Sequence, residues 1–348
     1  MRNTVVIITG LIVFLLLSCK NNNSVSNKNK NDIVDAVKPE KVKQEPKVIV
    51  ESDYCYYIPD SVNKPENPLV FLFDPHAKGN VSIKKYVAQA NKYGFVLVAS
   101  LVSENGMPIE KIRVHTHKVM DEIFEKLPVD KSSVVFAGFS GGGRVASEMA
   151  REFKNIKGVI SCGAAEPVNE KGKTKNVLIC GNEDFNYLEC VSVALKQNRP
   201  DNFVFYSFEG KHEWPSEDIM AKAIVFCISD VANNEVFSIA EEERIYLSTE
   251  ENIRSQLVQS FTTQGYDWWV SKIDELRKNT KSIHKQEEKI SKRLLAFIGM
   301  LSYAYTKNAI GTNNIRLAKH CIKIYEYIEP ENQDMLAYKK QIEKMGGV

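Results

Sequence analysis

The chain has 348 residues, 43% of them hydrophobic and 26% charged, with a formal net charge of +2. That composition belongs to a globular protein long enough for two ordinary domains and excludes a chain too polar to bury a core. The basic residues form no concentrated stripe, so nucleic acid is not an expected partner.

The first segment, 1–18, reads as a signal peptide. Arg2 gives a short positive region, and Val5 to Leu17 form an apolar run too short for an ordinary membrane span. At its end, Leu16-Leu17-Ser18-Cys19 resembles the lipobox of bacterial lipoprotein signals. The resemblance implies cleavage before Cys19, lipidation of Cys19, and an exported protein whose membrane partner is reached through that anchor. Lys20 rather than an acid follows, which by the same resemblance favours the outer membrane or cell surface over the inner membrane. Segment 19–47, rich in Asn, Lys, Ser, Glu and Pro, reads as a lipidated flexible tether. Beyond it, Cys55, Cys162, Cys180, Cys190, Cys227 and Cys321 show no metal-binding spacing. Cys162, Cys180 and Cys227 sit in apolar runs and read as small buried residues.

From residue 48 to 232 strands alternate with helices. Short strands at 48–50 and 54–58 precede a buried strand at 69–73, which ends at Asp74-Pro75-His76-Ala77. A helix over 83–92, a strand over 95–99 and a helix over 109–127 lead to the strand 134–137. Further strands lie at 158–161, 176–180 and 203–206, and a helix at 219–229 closes the series. This alternation predicts an α/β fold, with a mainly parallel sheet covered by helices on both faces. From 233 to 348 the pattern is all-helical, with helices over 236–247, 251–263, 267–276, 285–306, 314–328 and 332–344. Ala318, Ile322, Tyr325 and Pro330 resemble the second half of a tetratricopeptide repeat, while an amphipathic hairpin packed on the preceding domain fits the same residues. This tail is expected to be a separable module that carries no chemistry and docks a protein partner or the substrate. Trp268-Trp269 reads as packing.

The chemistry centres on Gly138-Phe139-Ser140-Gly141-Gly142, which follows the apolar strand and fits G-x-S-x-G, the nucleophile elbow. Gly141 to Ala146 also fit the dinucleotide fingerprint G-x-G-x-x-A. That strand is not the first of its sheet, however, and no strand-ending acid stands about 20 residues on. A serine hydroxyl needs a base to take its proton and an acid to orient that base. Gly181-Asn182-Glu183-Asp184 directly follows a strand, making Asp184 the candidate acid and Glu183 the neighbouring alternative. His212 is the only histidine between the elbow and the helical tail, and it follows the next strand. Ser140, Asp184 and His212 are therefore the expected catalytic set. His115 and His117 lie two apart on a helix and face different ways, so neither a metal nor a cofactor is expected.

The order Ser, Asp, His, with G-x-S-x-G-G and His-x-Trp-Pro, resembles the α/β-hydrolase superfamily. Within it, the likeness is to the feruloyl esterase and polyhydroxyalkanoate depolymerase branch, over about residues 50–230. The resemblance implies a serine esterase that works through an acyl-enzyme without a cofactor. With export, it implies a bulky extracellular ester, such as an acylated polysaccharide. A serine peptidase is the alternative within enzymes, and a binding lipoprotein whose hydrolase fold has lost activity is the alternative outside them. Many members insert a helical cap where 162–175 here leaves room only for a loop, so an open site is expected. Members of that branch carry a His-Gly pair after the early strand, which helps form the oxyanion hole. Here the loop contains Pro75, which has no N–H, so the expected donors are Gly141 with His76 or Ala77.

Overall fold

The computed structural model of the protein describes residues 47–60, 67–166, 173–197, 200–233 and 235–346. The signal peptide, Cys19 and the tether up to residue 46 lie outside the described residues.

Strand β3 (Asn67–Phe73) shows why the sheet forms. Leu69, Phe71 and Phe73 enter one hydrophobic cluster, while the alternate residues Val70 and Leu72 enter another. A strand that buries both faces can only sit inside a covered sheet. β4 (Val96–Ser100) and β5 (Val129–Phe139) divide their side chains in the same way. With β1 (Ile49–Val50), β2 (Tyr54–Tyr57), β6 (Ile156–Cys162), β7 (Lys175–Gly181) and β8 (Phe203–Phe208) they form an 8-stranded sheet in the order β1-β2-β4-β3-β5-β6-β7-β8. Strands β3 to β8 run parallel, and β1 and β2 are antiparallel additions at one edge.

Helices cover both faces. On one side, α1 (Gly79–Lys85), α2 (Val87–Tyr93) and α6 (Glu217–Ile228) contribute Ile83, Ala90, Ala223 and Ile224 to the core. On the other, α3 (Ile109–Lys126) and α4 (Gly141–Glu152) contribute Val119, Ile123, Ala146 and Met149. This is a mainly parallel α/β sheet covered by helices on both faces and followed by an all-helical C-terminal region, as the alternation predicts. The tail comprises α7 (Glu241–Ser260), α8 (Tyr266–Asn279), α9 (Lys285–Gly311), α10 (Ile315–Ile328) and α11 (Gln333–Met345). Trp269 is fully buried in the tail's own core beside Phe261, while Trp268 stays 38% exposed. Ala318, Ile322 and Tyr325 pack against Met335 and Ile342 of α11.

Three local readings change. The helix expected over 83–92 starts at Gly79 and breaks at Tyr86, whose buried ring lets its hydroxyl donate to the Pro215 carbonyl. The two tail helices expected over 236–247 and 251–263 are one, α7, because the polar run Ser248-Thr249-Glu250 does not end it: Glu250 is 0% exposed and held by charge partners. A further helix, α5 (Tyr187–Ala194), lies between β7 and β8, where apolar and polar residues alternate too briefly to show a helical period.

Cys55, Cys162, Cys180, Cys190, Cys227 and Cys321 are free and buried. Burial pushes the Cys55, Cys227 and Cys321 thiols up to about 12. Only a thiolate attacks a disulfide reagent. In a Cys19→Ala chain these thiols should therefore react with dithionitrobenzoate no faster than the protein unfolds, and at once in guanidinium. A fast phase in the native protein would contradict the packing described here.

Candidate active site

The elbow begins with the crossing of three backbones. A Cβ on Gly138 would lie 2.1 Å from the Gly142 carbonyl oxygen, and one on Gly142 would lie 2.1 Å from that of Phe73. Only glycine allows β5, α4 and β3 to come this close. Between these glycines Ser140 is forced to φ 52° and ψ −123°, a conformation that costs a non-glycine residue about 1–3 kcal/mol. Its N–H is fixed on the Cys162 carbonyl at 2.7 Å. The strain lifts the hydroxyl out of the strand at the start of α4, where first-turn N–H groups have no intrahelical acceptor.

His212, in the loop after β8, brings Nε2 to 2.9 Å from Ser140 Oγ, and its Nδ1 lies 2.8 Å from Asp184 Oδ2. A neutral imidazole protonated at Nδ1 satisfies both contacts, donating to Asp184 and accepting from Ser140. The ring lies between Phe139 and Phe185, with centroids 4.6 and 4.3 Å away. Asp184, 1% exposed, has its other oxygen occupied by the Asn186 N–H at 2.7 Å. Glu183, the alternative acid, instead pairs with Lys292 of α9 at 2.6 Å. Gly163 makes the junction possible: at φ +59°, a Cβ there would stand 2.9 Å from Asp184 Oδ2 and 3.1 Å from His212 Nδ1. His115 and His117 belong to other contacts, with Ser100 and Glu152.

The loop after β3 is tied to the histidine loop. Trp214 donates its indole N–H to Asp74 Oδ2 at 3.1 Å, while Asp74 Oδ1 accepts the N–H groups of His76 and Lys78. The Ala77 N–H is directed to the Asp74 and Ser103 carbonyls. The His76 and Ala77 N–H groups, named from the sequence beside that of Gly141 as oxyanion donors, thus already have acceptors within the protein. Burial pushes the His76 imidazole below its ordinary value, against the pull of Asp74 and of Asp334 on α11. Beside Gly141 opens a cavity of about 290 Å³, lined by Asn105, Met107, Ile109, Ile112 and Val145 among others.

The tail reaches this site directly. Glu250 of α7 accepts from Arg254 through one oxygen and from Arg293 of α9 through the other, each at 2.5 Å. Arg293 also donates to the Asn182 carbonyl at 2.7 Å, and Arg254 to that of Phe185 at 2.6 Å. Asp184 lies between those two carbonyls. Phe185 itself belongs to the tail's hydrophobic core with Leu257, Trp269 and Phe297. Tyr187 stacks under Arg293 and donates to Glu243. No spacing rule in the sequence links these residues.

No family model matches the chain, and no curated protein matches it. Among solved structures it is similar to an esterase from the archaeon Pyrobaculum calidifontis, at 13% identity and a TM-score of 0.40, over 50% of this chain and 78% of that one. Est1E from Butyrivibrio proteoclasticus matches at 15% identity and a TM-score of 0.39, over 51% and 95% of the two chains. A glucuronoyl esterase from Solibacter usitatus matches at 11% and 0.39, over 55% and 80%. The activities in those names are the neighbours' own.

Removing one partner of a buried charge network leaves the others uncompensated. Arg293→Ala should lower unfolding stability by about 3–5 kcal/mol in urea titration. Lys289→Ala, which removes a pair with the exposed Glu209 from the same helix, should leave the midpoint within experimental error. Equal midpoints for Arg293→Ala and the parent would show that the network contributes nothing to holding the loop.

Proposed function

We propose that the protein is a serine hydrolase that cleaves carboxylic esters through an acyl-enzyme. The observation that carries this reading is the relay Ser140–His212–Asp184, with contacts of 2.9 and 2.8 Å, mounted on a strained strand-to-helix turn. Strain of this kind persists only where surrounding structure holds it, and it concentrates at functional positions.

In the first step Ser140 Oγ bonds to the acyl carbon and its proton passes to His212 Nε2. The carbonyl π pair moves onto oxygen. Collapse of that intermediate reforms the carbonyl and breaks the bond to the alcohol, which leaves with the proton from Nε2. Water then repeats both steps and returns Ser140. Asp184 holds the imidazole in the tautomer that accepts the serine proton and stabilises the imidazolium that forms. Met107, Ile109, Ile112 and Val145 give the cavity beside Gly141 an apolar wall that suits an acyl or alkyl group, while Glu104, Arg144, Glu148 and Glu166 add charge around it.

The finer reading is drawn from the sequence. Cys19 anchors the protein to a membrane as an exported lipoprotein, residues up to 47 tether it, and the substrate is a bulky extracellular ester such as an acylated polysaccharide. The tail is a fixed part of the catalytic unit in this reading, supported by the grip of Arg254 and Arg293 on the loop around Asp184.

A fluorophosphonate probe should label the protein, and Ser140→Ala should abolish labelling and turnover of p-nitrophenyl acetate with little change in melting temperature. Asp184→Asn should lower kcat by about 10⁴-fold. Glu183→Gln, whose carboxylate is engaged by Lys292, should retain activity. Full labelling of Ser140→Ala would remove the enzyme reading, and loss of activity in Glu183→Gln alone would reassign the acid.

A further inference from the structure

We propose that the side-chain amide of Asn105 donates a hydrogen bond to the substrate oxygen that becomes negatively charged, acting together with the Gly141 N–H. The proposal rests on the serine-hydrolase reading and supplies the donor that reading lacks.

The lack is visible in the loop after β3. Stabilising a tetrahedral intermediate takes preorganised donors, commonly two backbone N–H groups, or one with a side-chain amide. Gly141 offers the first, next to Ser140 in the opening turn of α4. On the opposite side, the His76 N–H is bonded to Asp74 Oδ1 at 2.9 Å, and the Ala77 N–H faces the carbonyls of Asp74 and Ser103 at 3.3 and 3.2 Å. The other oxygen of the same carboxylate, Oδ2, accepts the Trp214 indole N–H, so Asp74 is engaged on both sides.

Asn105 stands where the missing donor belongs. Its amide lies directly against Gly141: a Cβ added there would be 1.8 Å from Oδ1, 2.9 Å from Cγ and 3.4 Å from Nδ2. Chain neighbours aside, no other described residue is closer to that face of Gly141. Asn105 and Gly141 also line the same cavity. The backbone beneath Asn105 is held, because its N–H donates to the Pro75 carbonyl at 2.9 Å and the neighbouring Ser103 N–H donates to Ser100 Oγ at 2.9 Å.

The amide itself is unspent. Asn105 Nδ2 is buried and has no hydrogen-bond partner among the described residues. A buried amide donor without an acceptor costs stability, and native proteins keep few of them. Oxygen and nitrogen of the amide exchange places on a half-turn that leaves its outline unchanged. That half-turn sets Nδ2 beside Gly141, so that its N–H and the Gly141 N–H can meet one oxygen. In this geometry Asn105 bonds the reacting oxygen itself and moves no proton.

The test uses the full chain with p-nitrophenyl acetate as substrate and a fluorophosphonate probe. Asn105→Ala should lower kcat by about 10²–10³-fold while KM stays within about threefold, the pattern of an interaction made in the transition state. Asn105→Asp, with the same outline but no donor, should lose at least as much, and it carries the test if Asn105→Ala does not fold. Labelling of Ser140 should slow in parallel, and the melting temperature should stay close to the parent's. A folded Asn105→Ala or Asn105→Asp protein with parental kcat would overturn the assignment of Asn105 alone. A parent protein inert to both ester and probe would overturn the hydrolase reading, and this inference with it.

Discussion

A carboxylate with no access to water, Glu250, holds two guanidinium groups, and much of the site depends on that arrangement. Removing three charges from solvent carries a large desolvation penalty, which close and fully hydrogen-bonded contacts can offset. Each arginine here also reaches past Glu250 to a backbone carbonyl, Arg254 to that of Phe185 and Arg293 to that of Asn182. Apolar residues could fill the same volume with similar stability, but they could not donate to those carbonyls. The network therefore has a directional product, the position of the short loop that presents Asp184 to His212. The aromatic contacts of Phe185 and Tyr187 with the tail act on the same loop from its apolar side.

The other groups of the site share one geometric origin. Ser140 follows β5, Asp184 follows β7, His212 follows β8, Asp74 follows β3 and Asn105 follows β4. Parallel strands direct all five positions to one edge of the sheet, where open α/β sheets receive their ligands. Two further constraints bring them into register. Glycines at 138 and 142 let the backbones of β3, β5 and α4 touch, and the indole of Trp214 reaches Asp74 to join loops 140 residues apart. The hydrophobic residues set the layers, and a few polar contacts set the distances.

What the sequence makes legible follows from how local each signal is. Apolar runs such as Leu69 to Phe73 reveal strands covered on both faces, because burial on either side leaves no polar alternation. The glycines around Ser140 reveal a tight turn, and the order of Asp184 and His212 after successive strands places both at one sheet edge. Strand-end spacing favours Asp184 and keeps Glu183 as the alternative, since adjacent carboxylates differ chiefly in which tertiary partner each meets, here His212 for Asp184 and Lys292 for Glu183. Asn105 gave no signal at all: it belongs to a polar loop, and its meaning comes from lying against a glycine in another element. Glu250 and Arg293 likewise carry no local signal of their own. Their pairing spans 43 residues, and that of Arg293 with Asn182 spans 111. Propensity and periodicity do not extend over such separations. The end of the strand-helix alternation marks where the tail begins, but nothing in it signals that Phe185, in the loop around Asp184, enters the hydrophobic core of the tail helices.

The separation in sequence between that loop and its supports has a temporal side. Chains are made from the amino terminus, and domains tend to fold as their segments become available. The sheet, the elbow and the loops bearing Asp184 and His212 are all complete once α6 has formed, whereas Arg254 and Arg293 arrive only with α7 and α9. Until then the loop around Asp184 lacks the donors for its flanking carbonyls and the apolar surface that receives Phe185. A growing chain can thus close its sheet early and still lack an ordered relay. The ordering of the relay is coupled to the arrival of the last third of the polypeptide.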